Sequence, residues 1–280
     1  MNVPANRWLL FVRVSGVRTF RSMTVIVPGY IVAMAGAEAV MAFWGALPGT
    51  ICHAIVMLAL ANQYIAINRE ADDRCADPDA AYWFSDILPV LMLIPLLRIL
   101  SLTMPIRYVP EVYWYAMIGI PLLIAVALTV RFLKLSAAEL GLRLQSWRAQ
   151  VVIALSGVPL SYMAYDLLRP RRLIADPNWK DIVIGAAIVL LFTGFAEEII
   201  FRGLFQQVAS EIFGRMSIVW STILFAVTYI GSLSPGYVLF IGLVGLYFGW
   251  CVYRTGSIWG VVLAHGLLNI GMMIVWPIVR

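Results

Sequence analysis

The chain has 280 residues, 62% of them hydrophobic and only 12% charged, with a formal net charge of +5 and a mean hydropathy of +0.90. A water-soluble domain carries about 25% charged residues, so this composition excludes a soluble fold and implies an all-α integral membrane protein. The small basic excess sits in short loops between apolar runs, a pattern that speaks for membrane orientation and against nucleic-acid binding.

The first segment, residues 1–22, differs from the rest. Its stretch "NRWLLFVRVSGVRTFR" mixes Trp8, Phe11 and Phe20 with Arg7, Arg13, Arg18 and Arg21, which predicts an interfacial helix. No small-residue cleavage site follows a short apolar core there, so an uncleaved amino terminus is expected. A spanning helix needs about 20 mostly apolar residues. Nine runs approach that length, near 24–47, 49–67, 85–104, 113–134, 148–168, 181–204, 217–234, 238–255 and 257–278. The expectation is therefore a bundle of eight or nine transmembrane helices, with Pro48-Gly49, Ser234-Pro235-Gly236 and Thr255-Gly256-Ser257 marking short turns. Residues 23–180 form its variable part and residues 181–280 a four-helix core that bears the motifs described below.

Arginine and lysine set the orientation. The amino-terminal segment, the 131–148 loop with Arg131, Lys134, Arg143 and Arg148, and Arg215 and Arg254 are all expected on the cytoplasmic side, in a bacterial inner membrane. The acidic loop "NREADDRCADPDA" falls on that side too, where acidic residues weigh little. Arg169, Arg171, Arg172 and Lys180 dissent, so either the fifth run is re-entrant or the count is off by one. The cysteines Cys52, Cys75 and Cys251 have neither metal-site nor disulfide-framework spacing. Glu38, inside the first run, raises a transporter or proton-relay reading, but an ion pair with Arg98 across helices is preferred, and no inverted repeat supports transport. His53 reads as a buried hydrogen bonder.

The stretch "GFAEEIIFRGLF" carries two carboxylates and an arginine where a lipid-facing helix wants leucine. At about 100° per residue, Glu198 and Arg202 share a helix face and form a structural ion pair, whereas Glu197 lies about 140° from Arg202. An intramembrane carboxylate without a local partner marks a functional site. Further on, Phe225 and Tyr229 are four apart, as are His265 and Asn269. Taken alone, these are packing aromatics, a helix-bridging histidine and polar glue. Between them, Gly242, Gly245 and Gly249 make a small-residue stripe that lets helices approach closely. A tight core would bring Glu197, Tyr229, His265 and Asn269 together.

In "EEIIFRG", "F…Y" and "RTGSIW…H…N", in that order and at those intervals, the last hundred residues resemble the CAAX prenyl protease and bacteriocin-processing family of glutamate-type intramembrane endopeptidases. The resemblance implies that Glu197 activates water, that Glu198 and Arg202 hold the first-motif helix, and that His265 and Asn269 donate to the oxyanion. Tyr229 stands where the family pattern has histidine. A phenol, with an ordinary pKa near 10, donates a hydrogen bond but is a poor base at neutral pH. A catalytic zinc wants three protein ligands; Glu197 and His265 are two, and Glu198 is taken by Arg202, so no metal and no other cofactor is expected. The expected partners are the lipid bilayer and a membrane protein or peptide, as substrate or as associate. Peptide-bond hydrolysis impaired by Tyr229 stands beside a non-catalytic role as a membrane-complex subunit, chaperone or immunity factor.

Overall fold

A computed structural model describes residues 16–74, 86–103, 108–175 and 177–280, without the side chains of 16–22 and 70–74. Most of the segment expected at the interface, residues 1–15, lies outside the described residues, as does Cys75. Among the described residues the chain is helical with no strand, as the apolar runs imply.

Helices α1 (Gly16–Trp44) and α2 (Ala46–Arg74) form a hairpin, followed by α3 (Ile87–Thr103), which packs on α2, and α4 (Glu111–Phe132), which packs on α3. The first turn is not at Pro48-Gly49, as expected, but at Gly45, whose φ of +100° suits a residue without a Cβ. Pro48 sits instead in the first turn of α2, where its missing N–H costs no hydrogen bond. After α4 come α5 (Trp147–Leu168) and α6 (Trp179–Val189), then two short helices, α7 (Ala196–Glu198) and α8 (Gln206–Phe213). The chain ends with α9 (Ser217–Val227), α10 (Pro235–Thr255), α11 (Trp259–Ile270) and α12 (Trp276–Val279). The expected turn signals around α10 are used as read. Ser234 caps its start by accepting from the Tyr237 N–H at 3.4 Å, Pro235 opens it, and Gly256 closes it at a φ of +67°.

Each of the nine apolar runs is largely helical over its described residues, but those residues contain seven helical stretches long and apolar enough to cross a membrane. The difference from eight or nine has two sources. Helix α3 has only 17 residues, and Trp179–Ser232 counts as one stretch of 54 residues. A straight helix of that length would be about 80 Å long, against about 30 Å of hydrocarbon. Gly214, with a φ of +56°, breaks it between α8 and α9, so it holds two of the runs. The protein is an integral membrane protein of the all-α, multi-span class.

Helix α5 packs closely on α11, so the last hundred residues do not build their core alone. A Cβ on Gly157 of α5 would come within 2.9 Å of the Ala264 backbone, which leaves room for hydrogen only. At one end of the bundle, Gly141 accepts from the Ile258 N–H at 3.0 Å and the Trp259 indole donates to the Leu142 carbonyl at 2.8 Å. The loop after α4 is thereby fixed to the α10–α11 turn, beside a cavity of about 430 Å³ whose walls include Glu139, Arg215 and Tyr253. The basic 131–148 loop, Arg215 and the turn after Arg254 thus share one end of the molecule.

Replacing Gly157 with alanine should overpack this contact at a cost of about 1–3 kcal/mol. Thermal unfolding in mild detergent, followed by tryptophan fluorescence, should show a fall of several degrees. Gly242→Ala, whose Cβ would meet only Ala226 at 3.8 Å, should leave the midpoint in place.

Candidate intramembrane site

The segment that carries both glutamates is not wound as expected. Leu190–Phe195 and Ile199–Phe205 are π-helical, with the three residues of α7 between them. π turns bond i to i+5 and occur mostly as short insertions at functional sites. The angles predicted for a plain α-helix therefore do not apply here, yet the Glu198–Arg202 pair survives the wider winding. Side chains here add hydrogen bonds to backbone carbonyls, that of Phe201 also accepting from the Gln206 N–H. Ser221 of α9 donates to the Phe201 carbonyl at 2.9 Å, and Thr193 donates to that of Val189 at 2.6 Å.

Glu198 is wholly buried. Its Oε1 accepts from Arg202 Nη1 at 3.0 Å and lies 2.8 Å from His265 Nδ1. Arg202 also donates through Nη2 to the Gly245 carbonyl at 3.3 Å, and its guanidinium stacks 4.4 Å above the Phe225 ring. Gly245 belongs to the small-residue stripe of α10. A Cβ there would stand 3.3 Å from the guanidinium, so the bare backbone gives a cation access to a main-chain oxygen. One turn on, Gln206 donates to the Gly249 carbonyl at 3.0 Å. The stripe serves polar contacts as well as close packing.

Glu197 is different. Its side chain is 16% exposed, against 0% for Glu198. Its Oε2 accepts from the Tyr229 hydroxyl at 3.1 Å and lies 4.0 Å from His265 Nε2. The tautomer of His265 follows from its neighbours. A carboxylate held by a guanidinium only accepts, so Nδ1 carries the proton and, in the neutral ring, Nε2 presents a lone pair toward Glu197. Edge-to-face contacts with Phe225 at 5.8 Å fix the ring plane. Tyr237 packs against Tyr229 at 5.9 Å and donates to the Met272 sulfur at 3.5 Å.

Asn269 lies one turn beyond His265 on α11. Its amide nitrogen donates to Thr193 Oγ1 at 2.9 Å. Thr193 was not singled out from the sequence; a lone threonine in an apolar helix gives no signal until the helix it faces is known. His265 as second partner of Glu198 was missed for the same reason. His53 stands apart, 3.1 Å from Glu38. Glu198 Oε1 is occupied by Arg202 and His265, while its buried Oε2 has no hydrogen-bond partner among the described residues. Among the described residues no group of three or more histidine, cysteine or acidic side chains is placed to hold one.

All of these motif residues fall within one matched segment: residues 179–271 fit the family model described as Type II CAAX prenyl endopeptidase Rce1-like. The carboxy-terminal part of the chain is similar to that family. The match agrees with the resemblance read from the motifs. No curated protein and no solved structure gives a significant match. The Rce1-like segment begins at the start of α6 and closes just beyond α11, so α1–α5 lie outside it.

Within this segment the Glu198–Arg202 pair should be costly to break from one side only. Arg202→Leu strands a buried carboxylate and should cost about 3–5 kcal/mol. Adding Glu198→Gln to that variant should recover part of the loss. Unfolding midpoints of the wild type, both singles and the double measure this coupling.

Proposed function

We propose that the protein is an intramembrane peptidase-like protein in which Glu197 and His265 hold a water molecule for attack on a peptide carbonyl. The observation that carries this reading is the pair of acceptors, Glu197 Oε2 and His265 Nε2, 4.0 Å apart, with the Glu197 side chain 16% exposed. A water about 2.8 Å from each donates one hydrogen to each, at an angle near its own. Its oxygen then has a lone pair free for the carbonyl carbon. Glu197 takes the proton as the C–O bond forms and returns it to the amine as the C–N bond breaks.

In this reading Tyr229 positions the Glu197 carboxylate, Glu198 and Arg202 hold the helix and the imidazole, and Asn269 ties α11 to the π segment through Thr193. One of the two Asn269 amide hydrogens is thus used on Thr193, which leaves the second for the oxyanion role that the family resemblance implies. Substrates are membrane-embedded or membrane-apposed peptides. The amino terminus and the basic end of the bundle face the cytoplasm of a bacterial inner membrane, following the arginine and lysine distribution.

Purified protein in detergent or liposomes should cleave members of a library of transmembrane peptides. Glu197→Ala should lower the rate by about 10²–10⁴-fold, the usual contribution of a general base. Tyr229→Phe should cost about tenfold, the equivalent of one hydrogen bond. Cleavage that is unchanged in Glu197→Ala refutes the assignment.

A second reading is favoured by Tyr229 itself, a phenol where the family pattern has histidine. In that reading the fold is kept for binding, and the protein is a non-catalytic subunit of a membrane complex. It then copurifies with a partner in fixed ratio, Glu197→Gln leaves that association intact, and Tyr229→His brings peptidase activity that the natural chain lacks.

A further inference from the structure

We propose that Glu38, Arg98 and His53 form a buried ionic clamp that positions Tyr229 over Glu197. The inference rests on the reading of the Tyr229–Glu197 hydrogen bond given above. All three residues belong to α1–α3, outside the Rce1-like segment.

Glu38 on α1 is completely buried. Both of its oxygens are taken by Arg98 of α3, Oε1 by Nε and Oε2 by Nη2 at 2.9 Å. Its Oε1 also lies 3.1 Å from Nε2 of His53, a residue of α2 with no exposed surface. With the imidazole neutral, the three side chains carry no net charge, so the cluster is tolerated in hydrocarbon. It is still an expensive way to join three helices, since apolar residues of the same volume would do so without desolvating ions. What an ion cluster adds is a fixed register between the helices.

The position that is fixed leads to Tyr229. Beyond α9 the chain forms a short 3-10 turn, Ile230–Ser232, which packs on α1. A Cβ on Gly231 would stand 3.7 Å from Glu38 Oε2 and 3.4 Å from the Met41 sulfur. The turn therefore lies directly on the clamp and on the residue one helical turn beyond it. Tyr229 enters that turn with its N–H on the Ala226 carbonyl at 3.1 Å and its own carbonyl on the Ser232 N–H at 3.0 Å. Its backbone has no freedom apart from the turn. Where α1 stands sets where the phenol stands, and the phenol is the donor that Glu197 receives at 3.1 Å. Glu38, Arg98 and His53 are positioning residues; none touches the reacting atoms.

The test uses full-length protein in detergent with 3-fluorotyrosine at position 229, read by ¹⁹F NMR. Glu197→Gln should move the single resonance, which reports the phenol's partner. Glu38→Gln should move or split it by at least half as much. Gly231→Val, which leaves the three ionic side chains in place but lifts the turn from Glu38, should do the same. Arg98→Lys, which keeps the charge but loses the two-pronged grip, should give a smaller shift. Glu139→Gln, at the far loop, should give none. If Glu197→Gln moves the line while Glu38→Gln and Gly231→Val leave it in place, the clamp proposal is overturned and the phenol–carboxylate bond stands. If Glu197→Gln leaves the line unmoved, that bond is refuted and the proposal falls with it. Should Glu38→Gln fail to fold, Gly231→Val decides alone.

Discussion

The site is organised around the need to leave no ionised side chain alone in hydrocarbon. Glu198 meets that need with two partners on a single oxygen, the Arg202 guanidinium and the His265 imidazole. Arg202 in turn reaches the Gly245 carbonyl and is enclosed by Phe225, Phe201 and Phe248. One carboxylate thereby ties the motif segment to α11, and through Arg202 to α10. The consequence for the neighbouring residue is direct. With Arg202 Nη1 and the His265 Nδ1 proton both on Glu198, Glu197 has, among the described residues, only a phenol as hydrogen-bond donor. Two adjacent glutamates acquire different chemistry because the first cation and the first imidazole N–H go to one of them.

The backbone makes this division possible. An α-helix places side chains about every 100°. The π windings on either side of α7 widen the turn, and Thr193 and Ser221 donate to main-chain carbonyls there, that of Phe201 also accepting from the Gln206 N–H. Thr193 then accepts from Asn269, so the same winding that displaces the glutamates also anchors α11. The glycines of α10 act on the opposite wall. Their missing side chains allow Arg202 and Gln206 to hydrogen-bond carbonyls that already serve the helix, using the second lone pair of each.

Much of this was legible in the sequence, for identifiable reasons. Apolar run length is a one-dimensional property, and all nine runs are largely helical over their described residues. The Glu198–Arg202 and Glu38–Arg98 pairs were legible because a charge inside an apolar run needs a partner, and the partners are scarce. The turns around α10 followed from Ser-Pro-Gly and Thr-Gly-Ser. What escaped depends on contacts between distant segments. His265 meets Glu198 across 67 residues, and no local pattern shows which carboxylate it will choose. The π winding escaped because an angle of 100° per residue was assumed. The break at Gly45 escaped because Pro48-Gly49 is the stronger turn signal by composition, yet a proline fits the first turn of a helix well. The span count differed because hydropathy sets no lower limit for α3 and does not see Gly214 as a stop.

The inventory of donors and acceptors constrains what the proposed site accepts. It offers the Glu197 carboxylate and, in the neutral ring, the His265 Nε2 lone pair. The Tyr229 hydroxyl spends its proton on Glu197, and the Asn269 amide spends one on Thr193. Such a site has acceptors to offer and few donors. It suits a molecule with two hydrogens to give, and water is the smallest. A carbonyl oxygen, which only accepts, finds no partner at His265 until Nε2 is protonated. In the proposed reading the neutral ring therefore favours water over a carbonyl between Glu197 and His265, 4.0 Å apart. The Tyr229 phenol supplies Glu197 with a donor while remaining a poor base at neutral pH.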